Sequence, residues 1–392
     1  MATSSVYVHF PWCLAKCPYC DFVSYATPRD AIDHAGYADA VVRELDSRAT
    51  HLEGELGSVF FGGGTPSLWD ARELGRVLAR ITSIFRCAPD LEVTVECNPT
   101  SLDRDRARAL ADVGVGRLSI GTQSLREDQL KFLGRLHDPG GARAAIEGAL
   151  AAGSLRVSSD LIFGLPDQSP EDARAQAEAL ADMGLAHLSC YQLTIEPGTQ
   201  FGELAKRGRL PLADDARVAE AFLAIDEALG ARGLAHYEIS NYARPGEEAR
   251  HNLGYWRGDA YLGLGTGAYG FVATGKGEGL RYRNVIDPKK YVEATRHMTS
   301  RLLGEGDGLS ISSERLDAGV LLRERIMLGL RLACGVDLDA AGRALGIDPW
   351  TDERTRTVER LAAKGRLERA GGRLSIPRAA WLWTDDTAAR LF

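Results

Sequence analysis

Residues 6–25 read VYVHFPWCLAKCPYCDFVSY, a strand pattern followed at once by a cluster of thiols. Three of the seven cysteines, Cys13, Cys17 and Cys20, fall within eight residues of each other. In a reducing compartment, closely spaced cysteines more often bind metal or carry out redox chemistry than form disulfides. The stretch therefore predicts a metal or redox site at the end of a first strand.

The composition is that of an ordinary globular protein. The chain has 392 residues, 45% of them hydrophobic and 26% charged, which is enough for one large domain and a smaller one. Its formal net charge of -7 offers no basic surface for phosphate backbones, so nucleic acid is not an expected partner. With no signal peptide and no long apolar run, we predict a cytoplasmic protein without a transmembrane segment, and transient membrane association stays open.

Short β-type runs recur along the first two-thirds of the chain. They begin at Ser5, Ser58, Leu91, Gly116, Leu155, Ala186 and Ala235. Most are separated by alanine- and leucine-rich helical patterns, and four of these end in a glycine just before the next strand, where a left-handed C-cap belongs. Alternating strands and helices predict a parallel sheet, which this pattern allows to be either a barrel or a doubly wound sheet.

In either arrangement, ligands bind beyond the carboxyl ends of the parallel strands. The unusual residues of the chain fall at five such ends: the three cysteines, the GGGTP loop at residues 62–66, Glu96 with Asn98 and Pro99, Gln123 with Ser124, and Asp160. We therefore expect these residues to meet at one mouth.

The pattern changes from about Glu324 onward. Three helical stretches, LLRERIMLGLRLACG, DLDAAGRALG and DERTRTVERLAAKG, are followed by the hairpin-like GRLERAGGRLSIP. This order predicts a small helical domain with a wing. No basic cluster marks a recognition helix, so we favour a structural or partner-docking role over DNA binding.

Three thiolates are compatible with two kinds of metal site. Zinc could take His9 as a fourth ligand, but structural zinc sites usually have a second CxxC pair, which is missing here. A [4Fe-4S] cluster held by three cysteines leaves one iron open for a ligand that is not protein. The GGGTP loop exposes backbone groups that could contact the amino-acid part of such a ligand, and Glu96 could accept hydrogen bonds from ribose hydroxyls. We therefore favour the cluster.

Taken together, these motifs resemble the radical S-adenosylmethionine (SAM) superfamily and, within it, the oxygen-independent coproporphyrinogen III dehydrogenases. The resemblance runs through YVHFPWCLAKCPYCDF, GGGTPS, VECNP, SIGTQS, LGRLH, DLIFGLP and ERIMLGLRLACGVDL, and so covers nearly the whole chain. It implies an α/β fold, an incomplete (β/α)6 TIM-type barrel followed by a C-terminal helical, winged-helix-like domain. We expect the barrel at residues 1–240, a connecting segment at 241–310 and the C-terminal domain at 311–392.

The same resemblance implies the cofactor-binding residues. Cys13, Cys17 and Cys20 would hold the [4Fe-4S] cluster, and SAM would chelate the open iron through its amino and carboxylate groups. The pocket residues that carry over are Tyr7, Tyr19, Gly64, Thr65, Glu96, Gln123, Arg135 and Asp160. Because side chains alternate along a strand, Tyr7 and His9 should share the face that points toward the mouth.

Two departures separate the chain from the dehydrogenases. Their motif extends to CxxxCxxCxC, whereas Phe22 stands here at the position of the last cysteine. Residues 251–256 read HNLGYW, an HNxxYW pattern similar to that of the HemW-type haem chaperones of the same family. By that resemblance His251 would give haem an axial nitrogen, and Tyr255 and Trp256 a flat apolar surface. Without the resemblance, a hydrogen-bonded structural histidine would be the better interpretation.

Two functions follow from these features. In the first, the protein binds haem and passes it to acceptor proteins, with the cluster and SAM as a regulatory or redox element. In the second, it is an enzyme that decarboxylates the propionate side chains of coproporphyrinogen III with a radical derived from SAM. Phe22 and the HNxxYW segment favour the chaperone. A structural zinc protein is a distant third hypothesis.

Overall fold

The computed structural model describes residues 3–153, 155–298, 303–304 and 306–392 of the chain. Within them, twelve strands form one large sheet and five shorter strands form two small sheets. In chain order the strands are β1 Thr3–Phe10, β2 Trp12–Cys13, β3 Tyr25–Ala26, β4 Glu55–Gly63, β5 Cys87–Cys97, β6 Arg117–Gln123, β7 Arg156–Phe163, β8 His187–Gln192, β9 Ala235–Glu238, β10 Asn241–Ala243, β11 Tyr261–Gly265, β12 Tyr269–Gly275, β13 Glu278–Asn284, β14 Ser310–Leu316, β15 Val336–Asp337, β16 Glu368–Ala370 and β17 Arg373–Ser375.

Helices connect most of the strands. They are α1 His34–Arg48, α2 Ala71–Ile84, α3 Arg104–Asp112, α4 Glu127–Phe132, α5 Pro139–Ala151, α6 Pro170–Asp182, α7 Gln200–Lys206, α8 Asp215–Ala231, α9 Arg250–Arg257, α10 Pro288–Arg296, α11 Ala318–Gly329, α12 Leu338–Leu345, α13 Asp352–Ala363 and α14 Thr384–Ala389. Short 3-10 segments lie at Arg29–Ala31, Ala49–His51, Pro66–Leu68, Pro99–Ser101 and Arg378–Trp383. In the described part of the chain, no helix combines the length and apolarity that crossing a bilayer requires.

The centre of the large sheet is parallel. Its strand order is β14-β13-β12-β11-β1-β4-β5-β6-β7-β8-β10-β9, and the seven strands from β11 to β8 pair in parallel. As far as the described residues go, the sheet is open, with β14 and β9 as its edges. The predicted incomplete (β/α)6 architecture is therefore confirmed, and β11 adds a seventh parallel strand beside β1.

The local sequence explains these elements. Along β1, Val6, Val8 and Phe10 are fully buried in the apolar core, while the alternate residues Tyr7 and His9 point to the other face. The glycines predicted as left-handed C-caps have positive φ angles, as expected: Gly114, Gly153, Gly184 and Gly233.

The run at Ala235 differs from the expectation. It forms β9, which pairs antiparallel with β10 at the sheet edge instead of joining the parallel strands. Only two residues separate β9 from β10, and a parallel pair would need a crossover of a dozen or more. The seventh parallel strand is instead β11, from the segment that we assigned to a connection.

A buried ion network holds β11 in place. Arg48 of α1 contacts Glu44 and Asp307, each at 2.5 Å, and all three side chains are closed to solvent. Glu44 in turn accepts hydrogen bonds from the N–H of Gly265 at 2.8 Å and from the amide of Asn284 at 2.7 Å. The network thereby ties the ends of β11 and β13 to the first helix of the barrel.

The C-terminal region has its own apolar core, built from α11 to α14 and the small β15-β17-β16 sheet. The three predicted helices and the hairpin are confirmed as α11, α12, α13 and β16-β17. Backbone bonds attach this domain to the β9-β10 edge: Ile239 N–H donates to Arg331 at 3.0 Å, and Ala333 N–H donates to Tyr237 at 3.0 Å.

Candidate functional site

The cysteine loop, residues 11–27, begins where β1 ends. β2 and β3 pair at its base, and the N–H of Tyr25 donates to the carbonyl of Pro11 at 2.8 Å. Inside the loop, the N–H of Cys20 donates to the carbonyl of Cys17 at 3.2 Å and closes a turn. These backbone bonds hold Cys13, Cys17 and Cys20 beyond the carboxyl end of β1.

Each thiol has a polar neighbour of its own. The Thr65 hydroxyl donates to the sulfur of Cys13 at 3.4 Å, and Nη1 of Arg135 donates to the sulfur of Cys17 at 3.5 Å. The third sulfur, on Cys20, lies 4.0 Å from the hydroxyl oxygen of a serine in the same loop. Hydrogen bonds and a nearby cation stabilise a thiolate, which is the form that binds metal.

The donor set fits a [4Fe-4S] cluster. Three partly exposed thiols lie on one loop at a strand end, and burial raises the pKa of Cys13 and Cys20, so binding a metal would release their protons. In the described part of the chain, no three His, Cys, Asp or Glu side chains gather around one point as ligands of a single ion would. In a cubane each thiolate binds a different iron, so three thiolates leave one iron open.

His9 anchors the loop. Its Nε2 lies 2.7 Å from the carbonyl of Val23 and must donate to it, so Nδ1 accepts from the Tyr7 hydroxyl at 2.9 Å. Burial lowers the pKa of His9 to about 4, consistent with this neutral tautomer. As predicted, Tyr7 and His9 share one face of β1. Because both nitrogens are engaged, His9 is not available here as the fourth zinc ligand that the alternative hypothesis required.

The GGGTP loop packs tightly on the cysteine loop. Gly63 has φ of +108°, and a Cβ there would lie 2.4 Å from the His9 ring, so only glycine fits. The N–H groups of Gly64 and Thr65 donate to the carbonyls of Phe10 at 2.7 Å and Trp12 at 2.8 Å. The N–H groups of both residues are therefore engaged within the protein, and the Thr65 hydroxyl, which donates to Cys13, can offer a ligand only its oxygen as an acceptor.

Two carboxylates lie inside the barrel mouth. Glu96, next to the last residue of β5, accepts from the N–H of Gly63 at 2.9 Å. Burial, with the negative charge of Asp160 adding to it, raises the pKa of Glu96 to about 8. Asp160 lies within β7, three residues before its end, where the Ser119 hydroxyl donates to it at 3.2 Å. The expectation that Asp160 ends its strand is thus corrected, since β7 continues to Phe163.

Gln123 and Arg135 carry buried polar atoms that no protein group satisfies. Gln123 ends β6 with φ of +66°, and its Oε1 is buried without a hydrogen-bond partner. Arg135 donates through Nη2 to the carbonyl of Gly121 at 2.7 Å, while its Nε is likewise buried and unpaired. Unsatisfied buried groups are uncommon and call for an explanation, and a polar ligand at this position supplies one.

Tyr19 lies in the cysteine loop and packs against Phe201. Its ring centroid is 6.4 Å from that of Phe201, and burial raises the pKa of its hydroxyl. Tyr19 therefore combines an apolar contact with an electrostatic interaction with Arg135.

Helix α9 carries the HNxxYW segment. His251 is buried, with Nδ1 2.9 Å from the Ser58 hydroxyl and Nε2 3.0 Å from the Tyr255 hydroxyl. Ser58 donates onward to Ser5, so Nδ1–H is the donor to Ser58 and Nε2 accepts from Tyr255. Burial, helped by the charge of Arg117, lowers the pKa of His251 to about 3. The imidazole is therefore neutral, and both of its nitrogens are engaged.

The side chains of the HNxxYW segment point in two different directions. His251, Asn252 and Tyr255 line a cavity at the barrel mouth. Trp256 points to the C-terminal domain, where the guanidinium of Arg331 lies 5.8 Å from its ring centroid. The expectation that Tyr255 and Trp256 form one flat surface is therefore corrected, because adjacent helix residues point about 100° apart.

The cavity has a volume of about 490 Å³, within the range of roughly 300–1,000 Å³ typical of small-molecule sites. Its walls are largely aromatic, and the ring of Phe60 is stacked on His251, at a centroid distance of 4.9 Å, and on Tyr7, at 6.2 Å. Besides these rings, the wall includes Phe22 from the cysteine loop, Glu96, Asn252 and Tyr255, and, from the β11–β13 region, Tyr261, Tyr269 and Arg283.

Six of the predicted site residues line one of two cavities. Tyr7, Glu96 and His251 line the large cavity, whereas Cys17, Thr65 and Arg135 line a small recess at the cysteine loop. The β11–β13 residues of the wall were missed by sequence reasoning. The run GFVATGKGEGLRYRN, residues 270–284, carries a glycine-rich turn between two alternating segments, which is the signal of a hairpin.

Comparison with known proteins identifies the family of the chain. Residues 7–183 match the family model of the radical SAM superfamily, and residues 316–383 match that of the HemN C-terminal domain. A protein named Heme chaperone HemW from Mycobacterium tuberculosis is 36% identical over 98% of this chain and 94% of its own length. The Escherichia coli protein of the same name is 39% identical over 76% and 77%, and the Bacillus subtilis one is 32% identical over 93% and 92%.

This chain belongs to the HemW family of the radical SAM superfamily. Membership of that superfamily implies a [4Fe-4S] cluster and SAM. The solved structure of Escherichia coli coproporphyrinogen III oxidase, HemN, matches with a TM-score of 0.79 over 100% of this chain and 90% of that one. At 20% identity, this likeness shows that the chain shares the fold of HemN.

Proposed function

We propose that the protein is a haem chaperone, which binds haem and transfers it to acceptor proteins. The observation that carries the proposal is the position of α9, which brings His251, Asn252 and Tyr255 into the wall of the aromatic cavity. Flat aromatic walls suit a flat macrocycle, because stacked rings bury large apolar areas. The relatives named Heme chaperone HemW support the same function.

The cofactor residues are assigned as part of this proposal. Cys13, Cys17 and Cys20 hold the cluster, and Tyr7, Tyr19, Gly64, Thr65, Glu96, Gln123, Arg135 and Asp160 surround SAM. When bound, the cluster supplies one-electron chemistry and an open iron site. The unpaired Oε1 of Gln123 and Nε of Arg135 give SAM a hydrogen-bond acceptor and a donor. Glu96 accepts hydrogen bonds from the ribose hydroxyls of SAM. Thr65 and Arg135 also hydrogen-bond the cluster thiolates and so connect the two sites.

His251 is proposed to contact haem through its Nε2. In the present arrangement that nitrogen accepts from the Tyr255 hydroxyl, so ligation to iron requires this bond to open. The hydroxyl of Tyr255 thus competes with iron for the same lone pair. Nδ1–H donating to Ser58 would meanwhile fix the ring orientation, as a second hydrogen bond does for many metal-bound histidines.

The test compares two variants of the full chain with the wild type. Tyr255→Phe removes the competing hydroxyl and keeps the ring, so it should preserve or raise haem affinity. His251→Gln should shift the Soret band and weaken haem retention. Thermal melts of both variants separate binding from folding. Soret spectra that are identical in all three proteins would assign His251 a structural role only.

A second readout addresses the coproporphyrinogen III dehydrogenase alternative. Phe22, 58% exposed and facing the cavity, occupies the position of the extra cysteine in the dehydrogenases. We therefore expect no conversion of coproporphyrinogen III by the wild type under anaerobic conditions with SAM and reductant. We also propose a cytoplasmic location and haem-accepting proteins as partners.

A further inference from the structure

Arg283 of β13 differs from its neighbour Arg281. Both lie on one face of the strand, because side chains alternate. Arg281 is neutralised by Glu324 at 2.7 Å and by Glu314 at 3.4 Å. Over residues 3–153, 155–298, 303–304 and 306–392, no carboxylate lies within ion-pair distance of Arg283. Arg283 is therefore a half-buried cation that forms no ion pair in this part of the chain, although Asp21 lines the same cavity.

The guanidinium of Arg283 is held in a defined orientation. It lies over the ring of Tyr269, 4.9 Å from the centroid, and the two residues are direct cross-strand partners. Its Nε is buried and has no hydrogen-bond partner. A guanidinium is planar, and its forked N–H groups match the two oxygens of a carboxylate while its face can lie against an aromatic ring. A buried donor without an acceptor is costly, and an anionic ligand would relieve that cost.

Arg283 and Tyr269 line the same 490 Å³ cavity as Tyr7 and His251. Among the described residues of its wall, Arg283 is the one permanently charged base, because burial lowers the pKa of His9 to about 4 and that of His251 to about 3. Haem and its precursors combine a flat apolar ring with propionate carboxylates. The aromatic wall suits the ring, and the carboxylates need a cation such as this one.

We propose that Arg283 is the carboxylate-binding residue of the cavity and pairs with a propionate group of the bound tetrapyrrole. The inference rests on the proposed haem-binding function and adds the residue that recognises the charged edge of the ligand. SAM also has a carboxylate, but the family resemblance implies that this carboxylate binds the open iron. Arg283 would therefore orient the macrocycle, with its propionate edge toward β13 and its ring between the aromatic walls.

The test uses a matched pair of ligands and a matched pair of variants. Protoporphyrin IX, which has two free carboxylates and no iron, and its dimethyl ester are titrated by fluorescence into the full-length protein. Arg283→Gln should weaken the diacid about 10- to 100-fold, the usual effect of losing a charge-assisted bond, and leave the diester unchanged. Arg283→Lys should recover part of the loss. Arg281→Gln, on the same strand face, should change neither affinity.

Each other outcome has a distinct meaning. If Arg283→Gln weakens diacid and diester equally, or neither, then Arg283 does not bind the carboxylate and this inference fails while haem binding stands. If the variant loses SAM affinity instead, measured by calorimetry, its ligand is the carboxylate of SAM, and the inference is overturned. If the wild type binds neither porphyrin above an unrelated control protein, the proposed function fails together with it.

Discussion

Glu96 allows a quantitative test of the SAM site. Burial beside Asp160 raises its pKa to about 8, so the carboxyl is mostly protonated at neutral pH in the protein without ligand. SAM brings a positive sulfonium and two ribose hydroxyl donors, and both favour the ionised carboxylate. Binding of SAM should therefore lower the pKa of Glu96 and release its proton. Glu96→Gln removes the titration but keeps an oxygen that can accept from the N–H of Gly63.

The size of the effect follows from the pKa. With a value of about 8, about nine-tenths of the Glu96 carboxyls are protonated at pH 7, so about 0.9 proton leaves for each SAM bound. If only the ionised form binds, its fraction rises from about 1% at pH 6 to about 50% at pH 8, and SAM affinity should rise about 50-fold over that range. The sign is fixed, because the group must lose a proton to bind.

The assay is anaerobic calorimetry in two buffers that differ in ionisation enthalpy, which counts the protons released. The amino group of SAM titrates in the same range, so the readout is the difference between wild type and Glu96→Gln. Asp160→Asn removes a negative charge that raises the pKa of Glu96, so the pH dependence of SAM affinity should shift to lower pH. Equal proton release and equal pH dependence in wild type and Glu96→Gln would refute the assignment of Glu96 to the ribose.

Three further predictions concern the cluster cysteines, the His9 contact that anchors the cysteine loop, and the buried ion network of Arg48. Changing any one of Cys13, Cys17 and Cys20 to Ala should abolish the brown chromophore with its iron and labile sulfide; retention of both in a triple variant would refute the cluster assignment. His9→Ala, which frees the loop at Val23, should leave the cluster assembled but speed its loss in air, followed as visible absorbance, and an unchanged rate would show that the anchor is dispensable. Arg48→Met leaves the buried carboxylates of Glu44 and Asp307 without a cationic partner. It should lower the free energy of unfolding by about 3–5 kcal/mol in denaturant titrations. The exposed control Arg72→Met should change it by less than about 0.5 kcal/mol, and a similar small change at Arg48 would contradict the role of the network.

Much of the fold was predictable because its signals are local. Period-2 runs, helical patterns and glycines at helix ends lie within a few residues of each other, and they located β1 and the βα units that follow it. The pairing of β11 with β1 was not predictable in this way, because it joins Ser5 to Tyr261 across most of the chain. That pairing depends on tertiary contacts, such as the bond from Gly265 to Glu44, which no local pattern encodes.

The candidate site was predictable where a motif carries its chemistry. The cysteine spacing and the GGGTP loop indicated a cluster and its ligand, and family resemblance supplied Gln123 and Arg135. The sequence could not show that both nitrogens of His251 are engaged, or that Trp256 points away from the cavity. Those facts depend on which helix face meets the barrel. Arg283 was missed because the sequence does not show whether an arginine in a strand has a carboxylate partner.

The central claim, that the protein binds haem and is not a coproporphyrinogen dehydrogenase, is tested most directly on one sample. The full chain is reconstituted anaerobically with iron and sulfide, and the preparation is divided between a haem titration and a turnover assay with SAM, reductant and coproporphyrinogen III. We expect saturable haem binding with a defined Soret band and no protoporphyrinogen IX. Turnover at enzymatic rates, or haem binding no stronger than that of an unrelated control protein, would contradict the claim.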